Sequence, residues 1–398
     1  MSGPLTGLRV LDIATIIAAP FAATLLADYG AEVLKIEMPG SGDGVRSFPP
    51  FKNGQPLWWK AANRNKKFAT LDLRKPEGAE LLKQLLPRFD VLIENFRPGT
   101  LDGWGLSKEV MWSIQPRLVI LRATGFGQDG PYSSRPGFAR IFEAMGGLTF
   151  ITGEADGQPM HPGYPIGDAI GGVFGAVGVL AALWKRARDP DAPGEEIDLA
   201  LTEATFRLLD VLPIEFDQLG VVRSRIGNDN AYSAPAAVYQ TSDMNWVSLA
   251  GSTHSLFSAN CRAIGRHDLI DDPRFSTNAK RVENSAELNA IFARWCSRYT
   301  LDEVLQAFTG HGGTIAPIYS IEQIARDPHV QARQMITRVP DKHFGTVAMS
   351  NVVPRFTVDR AEVRHAAGDV GQDNHDVFAK WLGLSETQIA ELEQAKII

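Results

Sequence analysis

The chain has two cysteines, Cys261 and Cys296, too few for a disulfide framework and without metal-site spacing, so a reducing, cytoplasmic setting is expected. It has no C-x-x-C, no H-E-x-x-H, no Walker loop and no G-x-S-x-G elbow, and its eight histidines include no i, i+4 pair. Neither a metal site nor phosphate-loop or serine chemistry is therefore expected. His311, in Gly310-His-Gly-Gly313, is the only histidine in a suggestive setting, and a loop histidine is more often solvated than functional. Neither sign of charge dominates: the net charge of −6 argues against nucleic acid or an anionic membrane as the main partner. The apolar run from Ala169 to Trp184 is too short and too rich in glycine for a membrane span, so it is expected to be buried in protein. The opening Met-Ser-Gly-Pro-Leu-Thr has no basic region followed by an apolar core, so no secretory leader is expected. There are no internal repeats and no low-complexity tract.

What is present is length and alternation. A chain of 398 residues exceeds one ordinary core, and two domains are expected. Leu8–Ile13 reads as a strand, Pro20–Tyr29 as a helix closed by Gly30, and Ala31–Ile36 as a second strand. Phe68–Leu73 as strand, Pro76–Phe89 as helix, and Asp90–Glu94 and Arg117–Thr124 as strands continue the pattern. Such alternation implies a mainly parallel sheet whose ligands sit beyond the strands' carboxyl ends. The first strand–helix turn, Ala14 to Pro20, lacks G-x-G-x-x-G, so a dinucleotide is not indicated. The other candidate binding loops are Asn95–Gly99 and Gly125–Gly130. A strand near Glu196–Leu201 and one helix to about Gln218 end this part, residues 1–222.

Residues 223–237 read as a linker and 238–336 as a smaller α+β domain. That domain should open with a hairpin (237–240 and 246–250), followed by helices near 254–265, 284–298 and 301–309 and a strand at 314–319. Residues 337–398 are expected to return to the large domain and to end in a helix capped by the box Ser385-Glu-Thr-Gln388.

With metal, phosphate-loop and serine chemistry set aside, carboxylate chemistry remains. Asp168 lies between Gly167 and Gly171-Gly172 at the mouth of the apolar run. Alone, this reads as a helix N-cap, since aspartate is a common one. The glycines permit close approach of backbone or ligand. A nucleophilic carboxylate can split one hard acyl transfer into two easier ones, provided backbone N–H groups hold the oxyanion.

Across nearly its whole length the sequence resembles the class III coenzyme A transferases, the formyl-CoA and carnitine CoA-transferase group that includes α-methylacyl-CoA racemase. The motifs that carry this are Leu8-Arg-Val-Leu-Asp12, Ala18-Ala-Pro20 with Gly30 to Glu37, Asn63-Arg-Asn65, Leu71-Asp72, Glu94-Asn-Phe-Arg-Pro-Gly99, Gly125-Phe-Gly-Gln128, Arg135-Pro-Gly-Phe138, Gly167-Asp168 and Asp272-Pro-Arg-Phe275. The resemblance implies an α/β fold with a Rossmann-like large domain built from both chain ends, a smaller α+β domain, and an interlocked homodimer. It implies no permanently bound cofactor, with a coenzyme A thioester as substrate and a carboxylic acid as acceptor. By the same resemblance Asp168 carries the acyl group, passing through an aspartyl anhydride and an aspartyl-CoA thioester, and Ala18, Leu71, Arg74, Asn95, Phe96 and Arg97 meet CoA.

Departures bear on the substrate. Ile17 stands where the formyl-CoA branch has a glutamine, Met38 and Gly103 where it has arginines, and Gly227-Asn-Asp-Asn230 where it has four glycines, so oxalate or formate specificity is not expected. Racemases carry a histidine and an aspartate where this chain has Phe138, Ala139 and Arg140, none of which supplies a base for α-proton transfer. Transfer is therefore favoured over racemisation, and over a non-catalytic acyl-CoA-binding subunit because Asp168 is present. Arg46 and Arg140 could pair with the free carboxylate of a dicarboxylic acid, as with a succinyl-CoA donor, or could form structural ion pairs.

Overall fold

In the computed structural model residues 3–398 are described; Met1 and Ser2, which open the N-terminal stretch and the expected large domain, lie outside the described residues. Backbone contacts divide the chain into two units. The first comprises the chain up to Thr149, His161–Val221 and Arg333–Ile398; the second comprises Phe150–Met160 and Val222–Ala332.

The first unit is organised by strands β1 (Arg9–Asp12), β2 (Glu32–Glu37), β3 (Lys66–Thr70), β4 (Val91–Glu94), β5 (Val119–Thr124) and β6 (Glu195–Ala200). All pair in parallel, in the order β3-β2-β1-β4-β5-β6. The chain crosses over on opposite sides of β1, so the crevice between the carboxyl ends of β1 and β4 is the switch point at which such sheets bind ligands. Both faces are covered, which accounts for the near-continuous apolar strands. Leu11, Leu34, Leu92 and Ile120 face helix α2 (Pro76–Leu85) and C-terminal residues including Phe378, Ile389 and Ile397. Val10, Val33, Val91, Ile93 and Leu121 face α1 (Ala18–Asp28) and α4 (Ile166–Arg188). Helix α3 (Ala139–Met145) packs against α4.

Helices α1 and α4 meet closely because α4 carries glycine where they touch. A Cβ on Gly172 would lie 2.8 Å from the Ala18 carbonyl oxygen, one on Gly175 would lie 2.9 Å from Leu121 Cδ2, and one on Gly171 would overlap Leu201. The apolar run is buried on this face only. Val177 and Trp184 on the opposite side are exposed, because a 23-residue helix against one layer has a second face to leave open. Among the described residues α4 is the only helix long and apolar enough to cross a membrane.

The single helix expected to follow β6 is two, α5 (Leu201–Arg207) and α6 (Val211–Leu219). Pro213 would clash with the Leu209 carbonyl in a continuous helix, but its missing N–H is harmless in the first turn of α6.

In the second unit, strands β7 (Ala236–Gln240), β8 (Trp246–Ala250) and β9 (Ile315–Pro317) form an antiparallel sheet. Helices α7 (His254–Ala263), α8 (Ser285–Cys296) and α9 (Leu301–Gly310) pack beside it around Phe257, Phe292 and Phe308, with both cysteines free and buried. Back in the first unit, β10 (Ile336–Asp341) pairs with β11 (Gly345–Ser350), and α10 (Glu386–Gln394) starts at the Ser385–Gln388 capping box.

Candidate active site

A cavity of about 220 Å³ opens at the switch point. Its walls come from the β1–α1 turn (Thr15 to Ala18), the loop after β4 (Asn95 to Pro98), the segment Ser133 to Phe138, and Phe142, Asp168 and Leu201. Thr15 and Phe96 also line a neighbouring apolar slot of about 80 Å³, with Leu71, Leu73, Arg74 and Trp104.

Asp168 is the third residue of α4, and the helix has no side-chain cap: the N-cap position is Pro165. The simple capping role is thereby removed. Asp168 is 7 % exposed, and among the described residues no group donates a hydrogen bond to its carboxylate. Burial first, then the charge of Glu143, push its pKa up from 3.8 to about 7. An ionised carboxylate that is desolvated and unpartnered is a stronger nucleophile than one in water.

Glu143 is a buried carboxylate beside Asp168 that the sequence alone does not single out. It sits in α3, 1 % exposed, where Oε1 accepts the Gly167 N–H at 3.1 Å and Oε2 lies 2.9 Å from His161 Nδ1. Gly167 admits it: a Cβ there would stand 3.1 Å from the Ala139 carbonyl oxygen and 3.4 Å from Glu143 Cγ. The available sequence signal was a carboxylate inside the apolar string Ile141-Phe142-Glu143-Ala144-Met145.

Opposite Asp168 the β1–α1 turn is tied down. Thr15 N–H donates to Asn95 Oδ1 and Asn95 Nδ2 donates to the Thr15 carbonyl, both at 2.8 Å. Asn95, expected at CoA, therefore spends its side chain joining two loops. Beyond Thr15, α1 begins without a side-chain cap. Among the described residues the N–H groups of Ile17, Ala18 and Ala19 have no acceptor, so the positive end of α1 is open.

The other expected contacts divide. Ile17, Ala18, Asn95, Phe96 and Arg97 line the cavity with Asp168; Leu71, Arg74 and Phe96 line the slot. Phe96 stands edge-on to Trp104 at 5.0 Å. Arg97 is exposed and, among the described residues, has no ion pair. Arg74 holds Asp72 through two bonds of 2.8 and 2.9 Å and reaches the Met38 sulfur at 3.4 Å. Glu94, at the end of β4, accepts the Phe96 N–H at 2.7 Å, and burial raises its pKa to about 7.

The two arginines expected at the substrate are not brought to the cavity. Arg46 is committed to Glu37 through two bonds of 2.6 and 2.7 Å, donates to the Gly368 carbonyl, and lies 3.6 Å over the Trp59 ring. Because that carboxylate is fully buried, the guanidinium that compensates it cannot leave without exposing a buried charge. Arg140 is exposed in the first turn of α3 and is not among the residues that line the cavity. Arg135 lines the cavity instead, stacked 3.6 Å over Tyr132 and without an ion pair among the described residues. His311 lies in the second unit, its Nδ1 2.9 Å from the Ala307 carbonyl. No group of three residues able to hold a metal occurs among the described residues.

Comparison with known proteins gives the site its setting. The chain is 39 % identical over 396 residues to succinyl-CoA–D-citramalate CoA-transferase of Chloroflexus aurantiacus, covering 99 % of this chain and 98 % of the relative. It is 35 % identical over 337 residues to succinate–glutarate CoA-transferase of Agrobacterium fabrum, covering 83 % and 84 %. The crystal structure of a CaiB/BaiF family protein from Brucella suis superposes with a TM-score of 0.83 at 30 % identity, covering 96 % of this chain and all of that one. The sequence model described as CoA-transferase family III matches residues 5–374, and the chain belongs to that family as a class III CoA-transferase.

Proposed function

We propose that this enzyme moves CoA between dicarboxylic acids, with Asp168 as the carboxylate that accepts the acyl group. Asp168 attacks the thioester carbonyl of the donor, the C–S bond breaks, and an aspartyl acyl anhydride and CoA thiolate result. The thiolate attacks the aspartyl carbonyl of the anhydride, releasing the donor acid and leaving an aspartyl-CoA thioester. The acceptor carboxylate attacks that thioester, again freeing the thiolate, which takes the new acyl group and restores Asp168. The observation that carries this reading is the Asp168 carboxylate, buried and unpartnered in a cavity lined by Ile17 and Ala18, whose N–H groups are free to hold the oxyanion.

CoA would run from the apolar slot at Leu71, Arg74 and Trp104, past Thr15 and Phe96, to the cavity; the two residues shared by both spaces support that path. Arg97 meets phosphate or the distal carboxylate of the acid, and Arg135 is its partner in recognising the latter, since unpaired guanidinium forks suit both anions. A dicarboxylate also agrees with relatives named for succinyl-CoA, citramalate and glutarate. Among the described lining residues Asp168 is the only carboxylate and there is no histidine, which leaves α-proton exchange without a second base.

The working form is a homodimer. None of the nine residues of α6 is buried, and Ile214, Phe216 and Leu219 are 60 %, 63 % and 72 % exposed. An apolar helix with no buried face calls for a protein partner, which a second copy would supply.

The test is trapping. Enzyme incubated with succinyl-CoA and then with hydroxylamine or borohydride should carry a modification on the Asp168 peptide by mass spectrometry, and new thioesters should appear with glutarate or citramalate as acceptor. CoA transfer with Asp168 unmodified, or exchange of α-hydrogen with deuterated water in place of transfer, overturns the reading.

A further inference from the structure

Ile16 has φ +70°, the left-handed region that β-branched side chains avoid and that persists only where the surroundings over-determine it. Here they do. Its N–H donates to both oxygens of Asp43, at 3.0 and 3.3 Å. Its side chain lies against Gly44, where a Cβ would stand 2.8 Å from Ile16 Cδ1. Asp43 is in turn immobile. Its N–H donates to Glu37 Oε2 at 2.9 Å, it caps the short turn at Gly44–Ser47 through the Val45 N–H, and its Oδ2 pairs with Lys35 Nζ at 3.0 Å. Lys35 also donates to the Ala14 carbonyl at 2.5 Å and faces Asp12, which pairs with Lys66 at 2.8 Å, all with fully buried side chains.

The peptides from Ala14 to Ile16 are thus anchored one after another, Ala14 N–H on Asp12 Oδ1 and Thr15 on Asn95. The next two N–H groups, of Ile17 and Ala18, have no acceptor and belong to residues that share the cavity with Asp168. We propose that Asp43 is a positioning residue, which holds the strained Ile16 turn in the one conformation that aims the Ile17 and Ala18 N–H groups at the acyl carbonyl. It acts through Ile16 and touches no substrate. This inference rests on the nucleophile reading of Asp168. It also gives Glu37 and Arg46 a role: they fix Asp43, so the arginine considered for substrate serves the oxyanion side of the site.

Ile16→Gly separates catalysis from folding, because glycine adopts this φ without strain yet does not confine the turn to it. With succinyl-CoA as donor and glutarate as acceptor, Ile16→Gly should keep or raise the thermal midpoint, leave KM for succinyl-CoA within about threefold, and lower kcat by roughly tenfold or more, as loss of oxyanion donors does. Asp43→Asn, which replaces one acceptor oxygen by a donor, should lower kcat similarly and also lower the midpoint. The double variant should be no slower than the slower single, since both act on one turn. Wild-type kcat in Ile16→Gly, or losses that multiply in the double variant, overturns the proposal. Hydroxylamine trapping separates the two layers. A wild type without adduct at Asp168 overturns the nucleophile reading, and with it this proposal, whereas an adduct formed equally fast in wild type and both variants overturns the role of Asp43 alone.

Discussion

Replacing Asp168 by asparagine tests the nucleophile and its burial together. With a carboxyl pKa of 3.8 in the unfolded chain and about 7 in the folded one, the folded state holds a proton that the unfolded state releases across that window. Stability therefore falls as pH rises from about 4 to about 7 and stays low above. At about 1.36 kcal/mol per pH unit the cost reaches about 4 kcal/mol, an upper bound because the buried carboxylate polarises its surroundings. Asp168→Asn removes the ionisation at nearly constant volume, and no hydrogen bond to another described residue is lost with it. At pH 8 the variant should be about 2–4 kcal/mol more stable than wild type, which for a chain of this length is a thermal midpoint roughly 2–5 °C higher. At pH 4.5 the gap should shrink to about 1 kcal/mol or less. Scanning calorimetry at both values measures the gap, and the transfer assay should show kcat lower by roughly a thousandfold or more. In wild type, kcat/KM should rise about tenfold per pH unit up to about 7 and then level off. A variant no more stable than wild type at pH 8, or a gap that is the same at both pH values, would refute the account of Asp168 as a desolvated, unpaired carboxylate.

Four further outcomes follow from the same geometry. Glu143→Gln keeps an acceptor for the Gly167 N–H but removes the charge facing Asp168, so the acid limb of kcat/KM should move down by roughly a pH unit, read from a full pH–rate profile. Gly172→Ala places a methyl 2.8 Å from the Ala18 carbonyl oxygen; it should cost about 1–3 kcal/mol of stability in denaturant titration and lower kcat by prising α1 from α4. Arg97→Ala should raise KM for succinyl-CoA about tenfold and flatten its salt dependence, as expected for one lost charge-assisted contact. Phe216→Asp on α6 should shift the sedimentation of the enzyme toward monomer at micromolar concentration, since it sets a charge in the proposed apolar interface.

The parallel sheet was legible because its signals are local: apolar runs of strand length separated by helix-length segments with proline and glycine at their ends. After β6, where two helices replace the expected one, the decisive residue is also local, Pro213. Asp168 was legible by residue type and by the glycines around it, which the structure turns into the contacts of α4 with α1, α3 and Leu201. What surrounds it was not. Glu143 acquires its meaning from Gly167, 24 positions on, and a carboxylate in an apolar helix looks like any surface residue until the fold buries it. Nothing in the letters says that Ile16 takes a positive φ, since that depends on Asp43, 27 positions away. Charge alone suggests Arg46 and Arg140 as substrate contacts, but charge does not reveal which of 46 acidic residues will claim a guanidinium. The arginines that do line the cavity without ion pairs, Arg97 and Arg135, share a feature visible in the sequence: each is followed by proline and glycine. Proline disfavours the helical region for the residue before it, and both arginines sit in loops beyond the carboxyl ends of strands rather than on a helix turn. At a switch point the surrounding backbone, more than the charge, decides which arginine stays free for a ligand.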